Sequence, residues 1–121
     1  MRQRPYEKLI VWQLAHELCL QIYSSTKKFP SDERFGLISQ MRRASYSIPM
    51  NLAEGNGRQS KKEKAHYVII AIGSLEELHY QCRLASDLEY ITADNKDSLI
   101  NLIHRVGYLL HKLRSSIMQI S

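Results

Sequence analysis

The sequence predicts an all-α fold, an antiparallel up-down-up-down four-helix bundle forming a single domain over residues 1–121. Three observations lead there. No stretch alternates apolar and polar residues over more than a few positions, so the patterning of strands is lacking. Apolar residues recur instead at steps of three and four, as Leu99, Ile103, Val106, Leu110, Leu113 and Ile117, and as Ala65, Val68, Ile72, Leu75, His79 and Cys82. That seven-residue repeat suits helices packed nearly antiparallel with knobs in holes, and the short connections place consecutive helices side by side.

Each element carries its own local signals. A first helix is expected from about Tyr6 to Lys27, closed by Phe29-Pro30 because the residue before a proline avoids the α region. Ser31 is the expected cap of a second helix that runs to about Glu54 and leaves through Gly55 and Gly57, glycines suited to a left-handed C-terminal turn. Pro49 lies inside that helix and removes the amide that would bond the Ser45 carbonyl, so a kink is expected there, with Asn51 near enough to offer its amide donors to a freed carbonyl. Ser60-Lys61-Lys62-Glu63 reads as a capping box, the Ser60 hydroxyl and the Glu63 carboxylate each satisfying an orphan amide, and it opens a third helix to about Leu88. Thr92 or Asp94 starts the fourth, which continues to about Ile117.

A chain of 121 residues buries enough apolar surface to fold without disulfides or metal. Cys19 and Cys82 both fall on apolar stripes and form no CxxC pair, so they read as reduced core residues. The N-terminal Met1-Arg2-Gln3-Arg4-Pro5 is basic but leads into an amphipathic segment, which predicts no signal peptide. No apolar run approaches the length of a membrane span, and a cytoplasmic protein without a membrane partner is expected.

The net charge of +5 is unevenly placed. Residues 42–64 hold six cations, Arg42, Arg43, Arg58, Lys61, Lys62 and Lys64, against two acids, whereas residues 76–97 hold six acids against two cations. Such asymmetry orients a nucleic acid on the basic side or lets copies of the chain attract one another. The first helix also carries two apolar stripes, one of Leu9, Trp12, His16, Cys19 and Tyr23 and another of Val11, Leu14, Leu18 and Ile22, and the fourth adds Leu102 and Leu109. A helix in a small bundle needs only one buried face, so the excess points to contacts between copies of this chain.

Signals for chemistry are weak. Glu63-x-x-His66 and Glu76-x-x-His79 have the spacing of carboxylate-bridged metal sites, but both lie on the third helix, roughly 20 Å apart, where one centre cannot use both. His104 and His111 are similarly separated by about 10 Å along the fourth. No metal or cofactor is expected. Both cysteines fall on core stripes, no serine sits in a strand-turn-helix elbow, and Gly55-Asn56-Gly57 follows a helix rather than a strand, so neither nucleophilic catalysis nor a phosphate loop is indicated. Arg43, Ser47, Asn51 and Glu54 step along one face as a polar stripe, read as a structural hydrogen-bond cluster in which Glu54 pairs with Arg43 or with another helix or subunit. Arg42 and Arg43 point about 100° apart, so one is expected to pair internally while the other faces solvent or a ligand.

The run Phe35-Gly36-Leu37-x-x-Gln40-x-Arg42-Arg43-Ala44-x-x-Ser47-Ile48-Pro49-x-Asn51-Leu52-Ala53-Glu54-Gly55-x-Gly57-Arg58, with Leu9-x-Val11-Trp12 before it and Gly73-Ser74-Leu75-x-Glu77-Leu78 after it, resembles the 23S rRNA-intervening-sequence proteins. These are small bacterial four-helix bundles. The resemblance implies assembly into a homopentamer, no established enzymatic activity, and similarity to the basic pentameric accessory protein of diversity-generating retroelements, which works with nucleic acid. The sequence departs from the family where Glu77-Leu78-His79-Tyr80-Gln81-Cys82 replaces a common Glu-Leu-Glu-Thr-Gln-Leu.

The leading expectation is thus a non-enzymatic homo-oligomer that binds RNA or DNA through Arg42 or Arg43, Arg58, Lys61, Lys62 and Lys64, aided by the amides at the start of the third helix. The alternative is an oligomeric protein-interaction scaffold with no nucleic-acid role, and a third reading is an enzyme whose site assembles between subunits.

Overall fold

The N-terminal segment does not enter its helix directly. In the computed structural model, which describes residues 2–119, a 3-10 turn (Pro5–Lys8) is followed by an extended Leu9 at φ −73° and ψ 127°, and only then by α1 (Ile10–Thr26). Met1, where the basic N-terminal run begins, lies outside the described residues, as do Ile120 and Ser121. The break has a local cause. The Glu7 carboxylate accepts the Arg4 amide at 2.9 Å, the Glu7 carbonyl accepts the Gln13 side-chain amide at 2.9 Å, and Tyr6 folds edge-on against Trp12 with centroids 5.2 Å apart.

Thr26 closes α1 with its hydroxyl donating to the Ile22 carbonyl at 2.8 Å, and the buried Phe29 anchors the turn before Pro30. Ser31 does not cap the second helix. Ser31–Glu33 is a 3-10 turn, and α2 (Leu37–Asn56) starts after Gly36, with the Glu33 carboxylate accepting the Leu37 amide at 3.1 Å. Negative charge at a helix N-terminus is favourable, so Glu33 takes the role expected of Ser31.

The helix continues through the buried Pro49. Asn51 donates at 2.7 Å to the Ser47 carbonyl rather than to the Ser45 carbonyl that lost its amide partner. The expected left-handed glycine exit is also corrected. Gly55 is buried inside α2 and Gly57 caps it at φ −85°, in the right-handed region. Among the described residues no glycine has a positive φ; that conformation belongs to Glu89 at φ 63°.

Ser60 caps α3 (Lys61–Asp87), its hydroxyl oxygen accepting the Glu63 amide at 3.1 Å. The Glu63 carboxylate accepts from the Ser60 hydroxyl at 3.2 Å instead of from an orphan amide, so the box is made on one side only. At the far end of α3 the Tyr90 amide reaches back to the Ala85 carbonyl at 2.9 Å and the Glu89 amide to Ser86 at 3.0 Å, a Schellman closure with Glu89 in the left-handed position. Thr92 then caps α4 (Ala93–Gln119) by accepting the Asn95 amide at 3.1 Å.

Consecutive helices run antiparallel. Arg42 near the start of α2 reaches Thr26 at the end of α1, the Ser47 and Ser74 hydroxyls meet at 2.8 Å midway along α2 and α3, and Asn95 donates at 3.1 Å to Ser25. The core takes Leu18 and Ile22 from α1, Met41 and Ile48 from α2, Leu75 and Leu78 from α3, and Leu99, Val106 and Leu110 from α4. On α3 the buried stripe is Ala65, Val68, Ala71, Leu75, Leu78, Cys82 and Ala85; Ile72 and His79, expected inward, are only half-buried. Both cysteines are free and buried. No strand occurs among the described residues, and no helix there is long and apolar enough to cross a membrane.

The bundle therefore has two unlike ends. One gathers the α1–α2 and α3–α4 connections, tied by Phe29 and Tyr90 with centroids 5.1 Å apart. The other gathers the N-terminal turn, the α2–α3 corner and the end of α4, where Leu9, Leu52, Asn56, Lys64, Leu113 and Ile117 surround one cleft.

Candidate nucleic-acid interface

The α2–α3 corner is built around a close backbone approach. A Cβ placed on Gly55 would lie 2.8 Å from the Cβ of Tyr67 and 3.5 Å from the Lys64 carbonyl oxygen, so only glycine lets the two helices meet there. This brings Tyr67 beneath Arg58. The guanidinium stacks 5.1 Å from the ring centroid and donates to the Tyr67 hydroxyl at 3.0 Å and to Glu54 at 2.8 Å, with Glu63 at 3.8 Å. Tyr67 first, and then Glu54, push the Arg58 pKa further above its ordinary value. Lys64 donates to the Asn56 carbonyl at 3.3 Å, satisfying a carbonyl at the end of α2.

Arg58 and Lys64 thus hold the corner together, while Lys61 is half-exposed and Lys62 exposed, and neither forms an ion pair among the described residues. With the Glu63 amide taken by Ser60, the amides of Lys61 and Lys62 remain pointing out of the helix start.

The other two expected contacts lie elsewhere. Arg42 turns inward, donating to Thr26 Oγ1 at 2.9 Å and to the Tyr23 carbonyl at 3.4 Å and stacking 4.6 Å from the Tyr23 ring, so that it caps the end of α1. Arg43 is exposed with no ion-pair partner among the described residues. The pair divides as the angle between them implies, one inward and one out. From Arg42 to the end of α2 the helix rises about 21 Å, so the six cations of residues 42–64 are not one patch. The polar stripe divides too. Ser47, Asn51 and Ser74 form one hydrogen-bonded group, with Asn51 donating to Ser47 Oγ at 3.0 Å, but Glu54 pairs with Arg58 and not with Arg43.

Other cations join the corner from distant segments. Arg4 shares a groove with Met50, Glu54, Gly57 and Arg58; Lys8, Lys112 and Arg114 adjoin the cleft residues Leu9 and Leu113 in sequence and so lie at the same level of the bundle, Lys112 with its ammonium 5.5 Å from the Tyr108 ring centroid. Sequence reading missed them because no local motif marks them; the antiparallel topology itself is the signal. At the opposite end Asp32, Glu33, Asp87, Glu89, Asp94 and Asp97 are interspersed with Lys27, Lys28, Arg34, Arg42, Arg83 and Lys96, so charge there is mixed. His79 and His104 stack with centroids 5.7 Å apart, but among the described residues no group of three or more His, Cys, Asp or Glu side chains is placed to hold a metal ion.

The sequence profile of 23S rRNA-intervening sequence proteins matches residues 7–112. The chain belongs to that family. A similar solved structure is a protein of unknown function from the S23 ribosomal protein family of Bacteroides thetaiotaomicron, 23% identical, with a TM-score of 0.81 over 88% of this chain and 96% of that one. At that identity the likeness carries the fold. No curated protein matches the chain. In this 23S rRNA-intervening sequence protein the central run from Arg42 to Arg58 resolves into separate structural duties: Arg42 caps α1, Ser47 and Asn51 join α2 to Ser74, Gly55 admits α3, and Arg58 clamps the corner.

Proposed function

We propose that this 23S rRNA-intervening sequence protein is a non-enzymatic, cytoplasmic homopentamer that binds RNA or DNA through the basic end of each bundle. The observation that carries the reading is that one end of the bundle gathers cations from separate parts of the chain, Arg4 sharing a groove with Arg58 while Lys61 and Lys62 open α3 at the same corner. Cations brought together by tertiary structure and left without acidic partners make an electrostatic footprint for a phosphate backbone. The two outward amides at the start of α3 add donors for a phosphate oxygen.

The test is fluorescence anisotropy of labelled single-stranded RNA and duplex DNA against salt. Binding should weaken steeply between about 50 and 200 mM salt, and Lys61→Ala with Lys62→Ala should lower the log–log slope by about one to two. Salt-insensitive binding, or none near physiological salt, would defeat the proposal. A scaffold without a nucleic-acid role is the second reading, favoured by the neutralisation of Arg58 by Glu54 and Glu63. Charge reversal at Lys61 and Lys62 would then change the mass of the assembly and leave nothing to measure on RNA.

A further inference from the structure

Two exposed surfaces of the bundle have no covering among the described residues. One is a groove between α1 and α2, walled by Tyr6, Trp12 and His16 on one side and Tyr46, Pro49 and Met50 on the other. Met50 is 60% exposed, and Arg43, two turns before it on the same side of α2, has no ionic partner among the described residues. The other is the outer ridge of α3, where Ile69, Ile70 and the 62%-exposed Tyr80 stand beside Glu76 and Glu77, acids that form no ion pair among the described residues.

Gly73 lies in the middle of that ridge, and a Cβ built on it meets nothing within 4 Å. Glycine inside a helix is destabilising relative to alanine. Gly55 and Gly107 answer to neighbours in their own chain, at 2.8 Å from Tyr67 and 3.1 Å from Leu75, but Gly73 answers to none. A backbone approaching from outside the chain is what its missing side chain admits.

We infer that the α3 ridge of one copy of this chain seats in the α1–α2 groove of the next, with Gly73 at the contact and Glu77 of one copy against Arg43 of the other. The inference rests on the oligomeric part of the function proposed above and names its interface. Heights along the bundle support the pairing. Ser47 and Ser74 touch, so they mark one level of α2 and α3. Arg43 lies four residues before Ser47 and Glu77 three after Ser74; because the helices are antiparallel, both rise about 5 Å toward the same end. By the same count Met50 and Ile70 lie about 5 Å below that level. Charge therefore meets opposite charge, and apolar residue meets apolar residue, with no step along the bundle axis.

Groove and ridge are different surfaces, so the contact is heterologous and closes into a ring or runs on as a filament. A ring requires a contact with no axial step, and this one has none. It also sets every basic end on one rim.

The full chain is to be tested by light scattering coupled to gel filtration, with circular dichroism to verify folding. Arg43→Glu and Glu77→Arg should each lower the assembly's mass toward that of a single chain with helix content unchanged, and the double reversal should restore it. Gly73→Met should keep the helices and lose the assembly. A wild-type assembly whose mass none of these variants alters would overturn this interface and leave the oligomer standing. A wild-type chain that runs as a monomer would overturn both.

Discussion

The Tyr90 hydroxyl donates to the Glu33 carboxylate at 2.9 Å, joining the α3–α4 connection to the α1–α2 connection across the end of the bundle. The other oxygen of Glu33 accepts the Leu37 amide at 3.1 Å, so one carboxylate both caps α2 and fastens a turn 57 residues away. That hydrogen bond, and then burial, raise the Tyr90 pKa above its ordinary value. Tyr90→Phe should lower stability, and Glu33→Ala should lower it further because the cap goes as well. Urea midpoints at unchanged m-value measure both, and equal losses would mean that the cap contributes nothing.

Glu89 sits at φ 63° in the left-handed position after α3. A side chain there is strained by about 1 kcal/mol or slightly more, and glycine relieves it at some cost in unfolded-chain entropy. Glu89→Gly should raise the thermal midpoint, with a gain of about 0.5 kcal/mol. A fall in the midpoint would show that the carboxylate makes a compensating contact.

Gly55→Ala should destabilise the corner by about 1–3 kcal/mol, since its Cβ would stand 2.8 Å from that of Tyr67 and one backbone must retreat. Retreat also pulls Tyr67 from under Arg58. Chemical shifts of the Tyr67 ring should therefore move in this variant, and an unmoved ring would show that the helices had not separated.

Arg42 and Lys62 should separate cleanly in experiment. Arg42→Lys keeps the charge but loses the planar fork that donates to Thr26 Oγ1 and the Tyr23 carbonyl and the stacking on the Tyr23 ring, so it should cost about 1 kcal/mol and leave the salt dependence of nucleic-acid binding unchanged. Lys62→Ala should do the reverse, shifting the salt slope by about one with stability unaltered. If Arg42→Lys flattens the slope at full stability, its inward pose is not the one that acts.

Burial pushes the Cys82 thiol up to about 12 from an ordinary 9.0. The folded chain holds this proton more tightly than the unfolded chain, so the associated stability is fully present below about pH 9 and is lost as pH rises toward 12. Each pH unit in that window removes at most about 1.4 kcal/mol. Cys82→Ala should be less stable near neutrality yet flatter with pH between 9 and 11, and parallel curves for the two proteins would refute the assignment.

The helix pattern and its antiparallel order were legible because stripes of period three and four decide both. Boundaries were less so. Ser31 and Glu33 are both competent caps in sequence, and the choice of Glu33 goes with its bond to Tyr90, far along the chain. On α3, Ile72 and His79 fit the repeat as well as Ala71 and Leu78 do; the structure buries the latter pair and leaves Ile72 and His79 at the edge of the core. At the corner, Lys61 and Lys62 announced themselves as a charged helix start. Arg42 did not announce its inward turn, because its partners Tyr23 and Thr26 belong to another helix. Arg4 was legible only as part of a basic N-terminal run, because its place beside Arg58 is set by the fold and not by any local motif.

The shared cleft of Leu9, Asn56, Lys64, Leu113 and Ile117 has a practical corollary for anyone handling this protein. A fluorophore attached near Arg4 or Ile117 sits over the cationic end, where an acidic group would compete with a polyanion. The turn around Leu88 and Glu89, about 40 Å away along α3, is the place to attach a reporter that leaves that surface bare.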